Sequence, residues 1–124
     1  MAEIIFNGRS QAISSVHELG DALNRFDQEH HFELWVAVSS GAAMCMLRSD
    51  NDALLMYLRN SGDSGFTSRG NPDKGGSATY VLTNGQIDEY PKSWCIDVEQ
   101  CYKAIAYFFV NDGAKPGWIR WNSD

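Results

Sequence analysis

The sequence predicts an α+β domain: a mostly antiparallel sheet of five to seven strands with two amphipathic helices packed on one face. Three observations predict it. Val98, Cys101, Tyr102, Ile105, Phe108 and Phe109 recur at helical spacing without a miss. The run Phe-Glu-Leu-Trp-Val-Ala-Val, residues 32–38, sets Phe32, Leu34, Val36 and Val38 on one side with a period of two, which is a strand. Strand candidates then follow one another through connections of hairpin length, which pairs neighbours antiparallel.

The elements can be justified in order. Glu3-Ile-Ile-Phe6 reads as a short strand, and Asn7-Gly8 as a turn. Residues 15–28 read as a helix opened by a capping box, Ser15 with Glu18, and followed by Val16, Leu19, Leu23 and Phe26 on one face. Strand 32–38 ends at Ser39-Ser40-Gly41. Ala-Ala-Met-Cys-Met-Leu-Arg continues as a second strand, and Ser49 to Asp52 turns the chain again. Ala-Leu-Leu-Met-Tyr-Leu-Arg, residues 53–59, is apolar on both sides and so belongs in the middle of the sheet. Residues 60–78 hold Gly62, Gly65, Gly70, Gly75 and Gly76 and predict a long loop. Asn84-Gly85 between two β-compatible runs predicts a two-residue hairpin turn, with Leu82 opposite Ile87 and Tyr80 opposite Glu89. Pro91 ends that pairing. Asp97 with Gln100 caps the second helix, residues 98–110. Asn111-Asp112-Gly113 stops it, and Pro116 forbids a restart. Trp118-Ile-Arg-Trp121 is a last short strand.

The chain has 124 residues, which fits one domain, 1–124. Sixteen acidic against ten basic side chains give a net charge of −6. Such a surface does not attract phosphate backbones or anionic lipid, so neither nucleic acid nor membrane is an expected partner; a basic protein is. Three cysteines, Cys45, Cys95 and Cys101, are a poor disulfide framework and point to a reducing compartment. The start lacks the basic and apolar regions of a secretion signal, and no run is long enough to span a membrane, so the expected location is cytoplasmic.

The chemical motifs are weak. Gly62-Asp63-Ser64-Gly65 spells the surroundings of a serine-protease nucleophile. His17, His30 and His31 all lie far upstream in no supporting context, and the chain is too short for two six-stranded barrels. Gly70 to Ser77 nearly spells a phosphate-binding loop, but Gly76 stands where the lysine belongs, and a strand follows where a helix should. His30-His31 point to opposite faces of a strand and do not close a metal site. Asp50-Asn51-Asp52 lacks the glycine and distal glutamate of a calcium loop. Cys95 precedes a helix, yet reads as a semi-buried, inert thiol. No metal or cofactor is expected. Trp35, Trp94, Trp118 and Trp121 with Tyr57, Phe66 and Tyr90 are many aromatics for this size. Any left on the helix-free face of the sheet would mark a partner site.

From residue 53 to 121 the pattern is an apolar strand (Leu-Leu-Met-Tyr-Leu), a glycine-rich loop, a tyrosine-bearing strand (Ala-Thr-Tyr-Val-Leu) and an amphipathic helix. A tail with Pro116, Ile119 and Trp121 follows. This order, with Tyr80 and Phe108-Phe109, resembles the small immunity proteins of bacterial polymorphic toxin systems. It is similar to the type often encoded beside deaminase toxins, including those that deaminate cytidine in double-stranded DNA. Residues 1–52 match only in element order. Trp118 and the Ser-Arg-Gly-Asn-Pro-Asp-Lys-Gly-Gly-Ser insertion have no place in the pattern. The resemblance implies a protein that binds a cognate toxin domain in the producing cell and occludes its active site. Members of the family are not enzymes, so no catalytic residue is carried over. An acidic inhibitor also suits a toxin with a basic nucleic-acid surface.

The alternatives are a small hydrolase or transferase using Ser64 or Cys95, and an adaptor or chaperone-like binding domain for a secreted protein. On the immunity reading, the candidate toxin contacts are Asp63, Phe66, Arg69 and Asp73 in the glycine-rich loop. Tyr57 before it and Asp88 and Tyr90 after it complete the set. Asp63 and Asp73 supply charge for a basic partner, and Phe66 an apolar anchor.

Overall fold

A computed structural model describes residues 2–123. The chain forms β1 (Ala2–Phe6), β2 (Arg9–Ile13), α1 (Val16–Phe26), β3 (His31–Val38), β4 (Ala43–Ser49) and β5 (Asp52–Leu58). These are followed by β6 (Phe66–Arg69), β7 (Ser77–Val81), β8 (Ile87–Pro91), a 3-10 turn (Lys92–Trp94), α2 (Val98–Val110) and β9 (Arg120–Ser123). Seven strands make one antiparallel sheet in the order β2-β1-β3-β4-β5-β6-β9, and β7 pairs with β8 as a separate hairpin. The fold is α+β, as the sequence predicts.

The period of two in β3, β4 and β5 sorts their side chains between two cores. Leu34, Val36, Met44, Met46, Leu55 and Tyr57 face the helices, where they bury Leu19 and Leu23 of α1 and Ile105 and Phe108 of α2. Cys45, Leu47 and Leu54 face the other way, against Ala78 and Tyr80 of the hairpin. A strand apolar on both faces needs both faces covered. The helix-free face is therefore no open aromatic platform, and Trp35 and Tyr90 pack against this second core.

The glycine-rich stretch is not the long loop expected. β6 lies in its middle, with Met56 opposite Thr67 on one side and Trp121 opposite Ser68 on the other. Four residues flanked by glycine carry almost no strand signal of their own; neighbours on both edges supply the hydrogen bonds. The β6 main chain leaves β5 after Thr67, and Ser68 continues the ladder with its side chain. Its hydroxyl accepts from the Leu55 N–H at 3.0 Å and donates to the Trp94 carbonyl at 2.9 Å. Ile96 then bridges to Ala53, its N–H 2.8 Å from the Ala53 carbonyl. The strap of residues 92–96 thus completes the sheet where β6 stops.

One turn stands as expected but leads into a strand that was not, and another turn differs. Asn7-Gly8 joins β1 to an additional strand, β2, as a tight hairpin with φ of 48° and 85°. At the β7–β8 turn only Gly85 takes positive φ, 86°. The Gly85 N–H donates to the Leu82 carbonyl at 2.9 Å, the geometry of a three-residue loop with a glycine bulge. The register therefore slips by one: Val81 faces Ile87 and Tyr80 faces Asp88. Such a slip exchanges the faces of one strand.

The helix ends follow their caps in part. The Ser15 hydroxyl accepts from the Glu18 N–H at 3.1 Å, while the Glu18 carboxylate reaches back to the N–H of Ser14 rather than of Ser15. Asp97 stands at the N-cap of α2 without a side-chain hydrogen bond, and Gln100 instead accepts from the Trp118 indole at 3.1 Å. Gly113, at φ 94°, closes α2 by donating to the Phe108 carbonyl at 2.8 Å. The final strand starts two residues later than expected, at Arg120.

Candidate functional site

The seven residues singled out in the sequence fall into different environments. Tyr57 is buried in the helix-side core. Its hydroxyl donates to the Gly113 carbonyl at 2.6 Å, and its ring lies 6.0 Å from Phe108 and 6.1 Å from Phe66. It fastens the end of α2 to the sheet and offers no surface to a partner.

Asp63 is spoken for within the chain. Its carboxylate accepts from the Arg59 N–H at 2.9 Å and from the guanidinium at 3.0 and 2.9 Å. These bonds, the side-chain ones foremost, hold its carboxyl well below the usual range. Arg59 in turn lies 5.2 Å over the Phe66 ring, and the Lys115 ammonium sits 3.9 Å from the same ring. With Arg59 paired to Asp63, the charge in excess around Phe66 is the Lys115 ammonium, so this is not the acidic surface expected.

Arg69 stacks on Trp94 at 4.2 Å, and Tyr90 stacks on the same indole at 5.5 Å. Asp88 accepts from the Tyr90 hydroxyl at 3.1 Å and from the Gln86 amide at 2.6 Å. Asp73 is exposed in a turn where the Asn71 side chain caps its N–H at 2.9 Å. The structure therefore brings Tyr57, Phe66 and, through Arg59, Asp63 together beside the helix-side core. It brings Arg69 and Tyr90 together on Trp94, and the seven do not form one patch.

The nucleophile candidates are placed as follows. Ser64 is exposed beyond the end of β5. His30 and His31 sit at the other end of the sheet, where His31 pairs with Ser49 and approaches Asp50 at 3.5 Å. His17 lies 3.5 Å from Asp21 on α1. Cys95 is buried with its sulfur 3.2 Å from the Tyr80 hydroxyl, and burial above all pushes its thiol up, away from the thiolate a nucleophile needs. Cys45 and Cys101 are buried and likewise raised by burial; all three cysteines are free. Among the described residues no three His, Cys, Asp or Glu side chains are grouped to hold a metal, and no helix is long and apolar enough to cross a membrane.

What the molecule presents instead is surface. Two groups of large apolar side chains stand in solvent. Tyr107 and Trp118 meet edge to face at 5.2 Å on the flank of α2, near the exposed Val110. Val81 and Ile87 stand opposite each other on the outer side of the hairpin. Sequence reasoning missed both. The one-residue register slip concealed the hairpin pair, and Trp118 reads as strand interior until β9 is seen to begin beyond it.

A compact sheet, covered on one face by helices and on the other by a hairpin, with its apolar singularities outside, is the build of a protein-binding module. The family assignment is more definite: the chain belongs to the Imm1 immunity proteins, whose family model, described as Immunity protein Imm1, matches residues 3–123. The match takes in β1 to β4 as well as the second half, where the sequence resemblance lay. No curated protein matches the chain.

Proposed function

We propose that this immunity protein binds a toxin domain that acts on nucleic acid, a deaminase foremost, in the cytoplasm of the producing cell and occludes its active site. The observation that carries the reading is the family match over residues 3–123. The net charge of −6 supports the choice of partner. An enzyme that grips a phosphate backbone needs a basic approach surface, and an acidic antagonist is drawn to it. Glu89 on the hairpin and Asp50 just after β4 are exposed, whereas Asp63 is neutralised by Arg59.

The test is co-expression with the cognate toxin domain, scored by survival and by co-purification. Survival with a stoichiometric complex, whose association slows as salt is raised, is the expected result. Death of the host despite soluble expression of both proteins refutes it. Ser64→Ala should leave protection unchanged, and loss of protection on that change would return the hydrolase reading.

A further inference from the structure

The hairpin β7–β8 closes one core with its inner side and turns its outer side to water. On that outer side Val81 and Ile87 face each other across the strands, 62% and 66% exposed. Thr79 and Glu89 form the next pair on the same side, as a solvated strand face should. The aliphatic pair breaks that pattern, and the inner core does not use it. Charge within the hairpin is of one sign, while Lys74 and Lys92 at its base pair with Asp52. Residues 75–91 include Asp88 and Glu89 and no lysine or arginine. Glu33 adds a carboxylate at the tip, where it accepts from the N–H and hydroxyl of Thr83 at 2.9 and 2.7 Å; these bonds keep its carboxyl below the ordinary range despite partial burial.

The hairpin is also fixed in place. Thr83 anchors its tip, the Lys92 N–H meets the Gly76 carbonyl at 2.9 Å at its base, and the Tyr80 hydroxyl meets Cys95 beneath it. A backbone held this way binds with a smaller ordering cost. A shallow cleft lined by Asn7, His31, Val81, Leu82 and Thr83 opens beside Val81.

We propose that the outer face of β7–β8 is the seat of the toxin domain. Val81 and Ile87 fill an apolar depression, and Glu89, the carboxylate that shares their face, meets a lysine or arginine beside it. This rests on the immunity reading above. An apolar centre flanked by an exposed carboxylate suits a partner with a basic side chain at the matching place. The competing flank of α2 has less to offer in hydrogen bonding, since the Trp118 indole N–H is already bound to Gln100.

The probe is the cognate toxin domain, catalytically silenced and captured on a surface, with the full immunity protein in solution. Val81→Lys combined with Ile87→Lys should weaken binding at least a hundredfold while the melting temperature stays near wild type. Val81→Thr combined with Ile87→Thr keeps strand-forming residues and should cost about tenfold. Glu89→Lys should slow association several-fold at low salt, and the deficit should shrink at high salt. Tyr107→Ala and Trp118→Ala should each bind within threefold of wild type. Absence of binding by the wild-type protein removes the immunity reading and this proposal with it. Wild-type binding that survives both hairpin double substitutions within threefold overturns the proposal alone, as does a loss confined to Tyr107→Ala or Trp118→Ala.

Discussion

Gly70 and Gly75 lie five residues apart in the same glycine-rich stretch, and alanine should affect them oppositely. Neither has positive φ, so space rather than strain decides. A β-carbon on Gly70 would overlap the Cys95 carbonyl oxygen and stand 3.0 Å from its carbon and 3.4 Å from the Ser93 oxygen. Those atoms are backbone and cannot rotate away, so β6 and the strap of residues 92–96 must part. Parting stretches the Gly70 N–H to Ser93 carbonyl bond, now 2.7 Å, and the Ser68 hydroxyl to Trp94 carbonyl bond, now 2.9 Å. Overpacking costs about 1–3 kcal/mol. Each buried bond broken adds about 1 kcal/mol or more. Gly70→Ala should therefore lose about 3–5 kcal/mol, which for a domain of this size lowers the melting temperature by roughly 10–20 °C. A β-carbon on Gly75 meets nothing within 4 Å, so Gly75→Ala should hold or gain, by up to about 1 kcal/mol through the unfolded chain. Differential scanning calorimetry of the two variants beside wild type is the assay. Equal melting temperatures for both would refute the close crossing of β6 and the strap.

Two further outcomes follow from buried and charge-linked contacts. Tyr57→Phe removes the 2.6 Å bond to the Gly113 carbonyl and leaves a buried acceptor unpaired, which should cost about 1–3 kcal/mol in urea unfolding with the m-value unchanged. Asp27 accepts from the Tyr102 hydroxyl and the Arg48 guanidinium, both at 2.8 Å, and these bonds, Tyr102 foremost, lower its pKa. A lowered folded pKa gives stability that is present above the unfolded carboxyl value of about 3.9 and is lost as pH falls through the folded one. Asp27→Asn should therefore flatten the decline in melting temperature below about pH 4, and an unaltered acid limb would show that the cluster is not linked to folding.

The strands of residues 31–58 were legible because covered faces leave a period of two in their side chains, and α2 because its stripe faces a single core. β6 was not legible, since its partners come from β5 and from β9 some fifty residues on. The hairpin was found but read one residue out, because Asn84 does not take the positive φ that a two-residue turn requires. That single residue governs the candidate site. In the expected register Leu82 faces Ile87, whereas the structure leaves Leu82 against the second core and sets Val81 in solvent. Asp63 shows the reverse failure: its type was right for a basic partner, but a sequence does not reveal that Arg59 has already claimed it.

The pairing of β6 with β9 bears on when this protein becomes complete. β1 through β5 pair mainly with near neighbours in the chain, and such contacts close quickly. β6 gains its second edge only when residues 120–123 arrive, after the hairpin, the strap and α2 have been made. On a ribosome, the N-terminal strands can assemble while Ser68 still waits for Trp94 and for the last strand. The finished domain, and any surface that depends on the strap, exists only once synthesis has passed β9. A chain released short of residues 120–123 should therefore leave β6 with one paired edge and the strap unsupported.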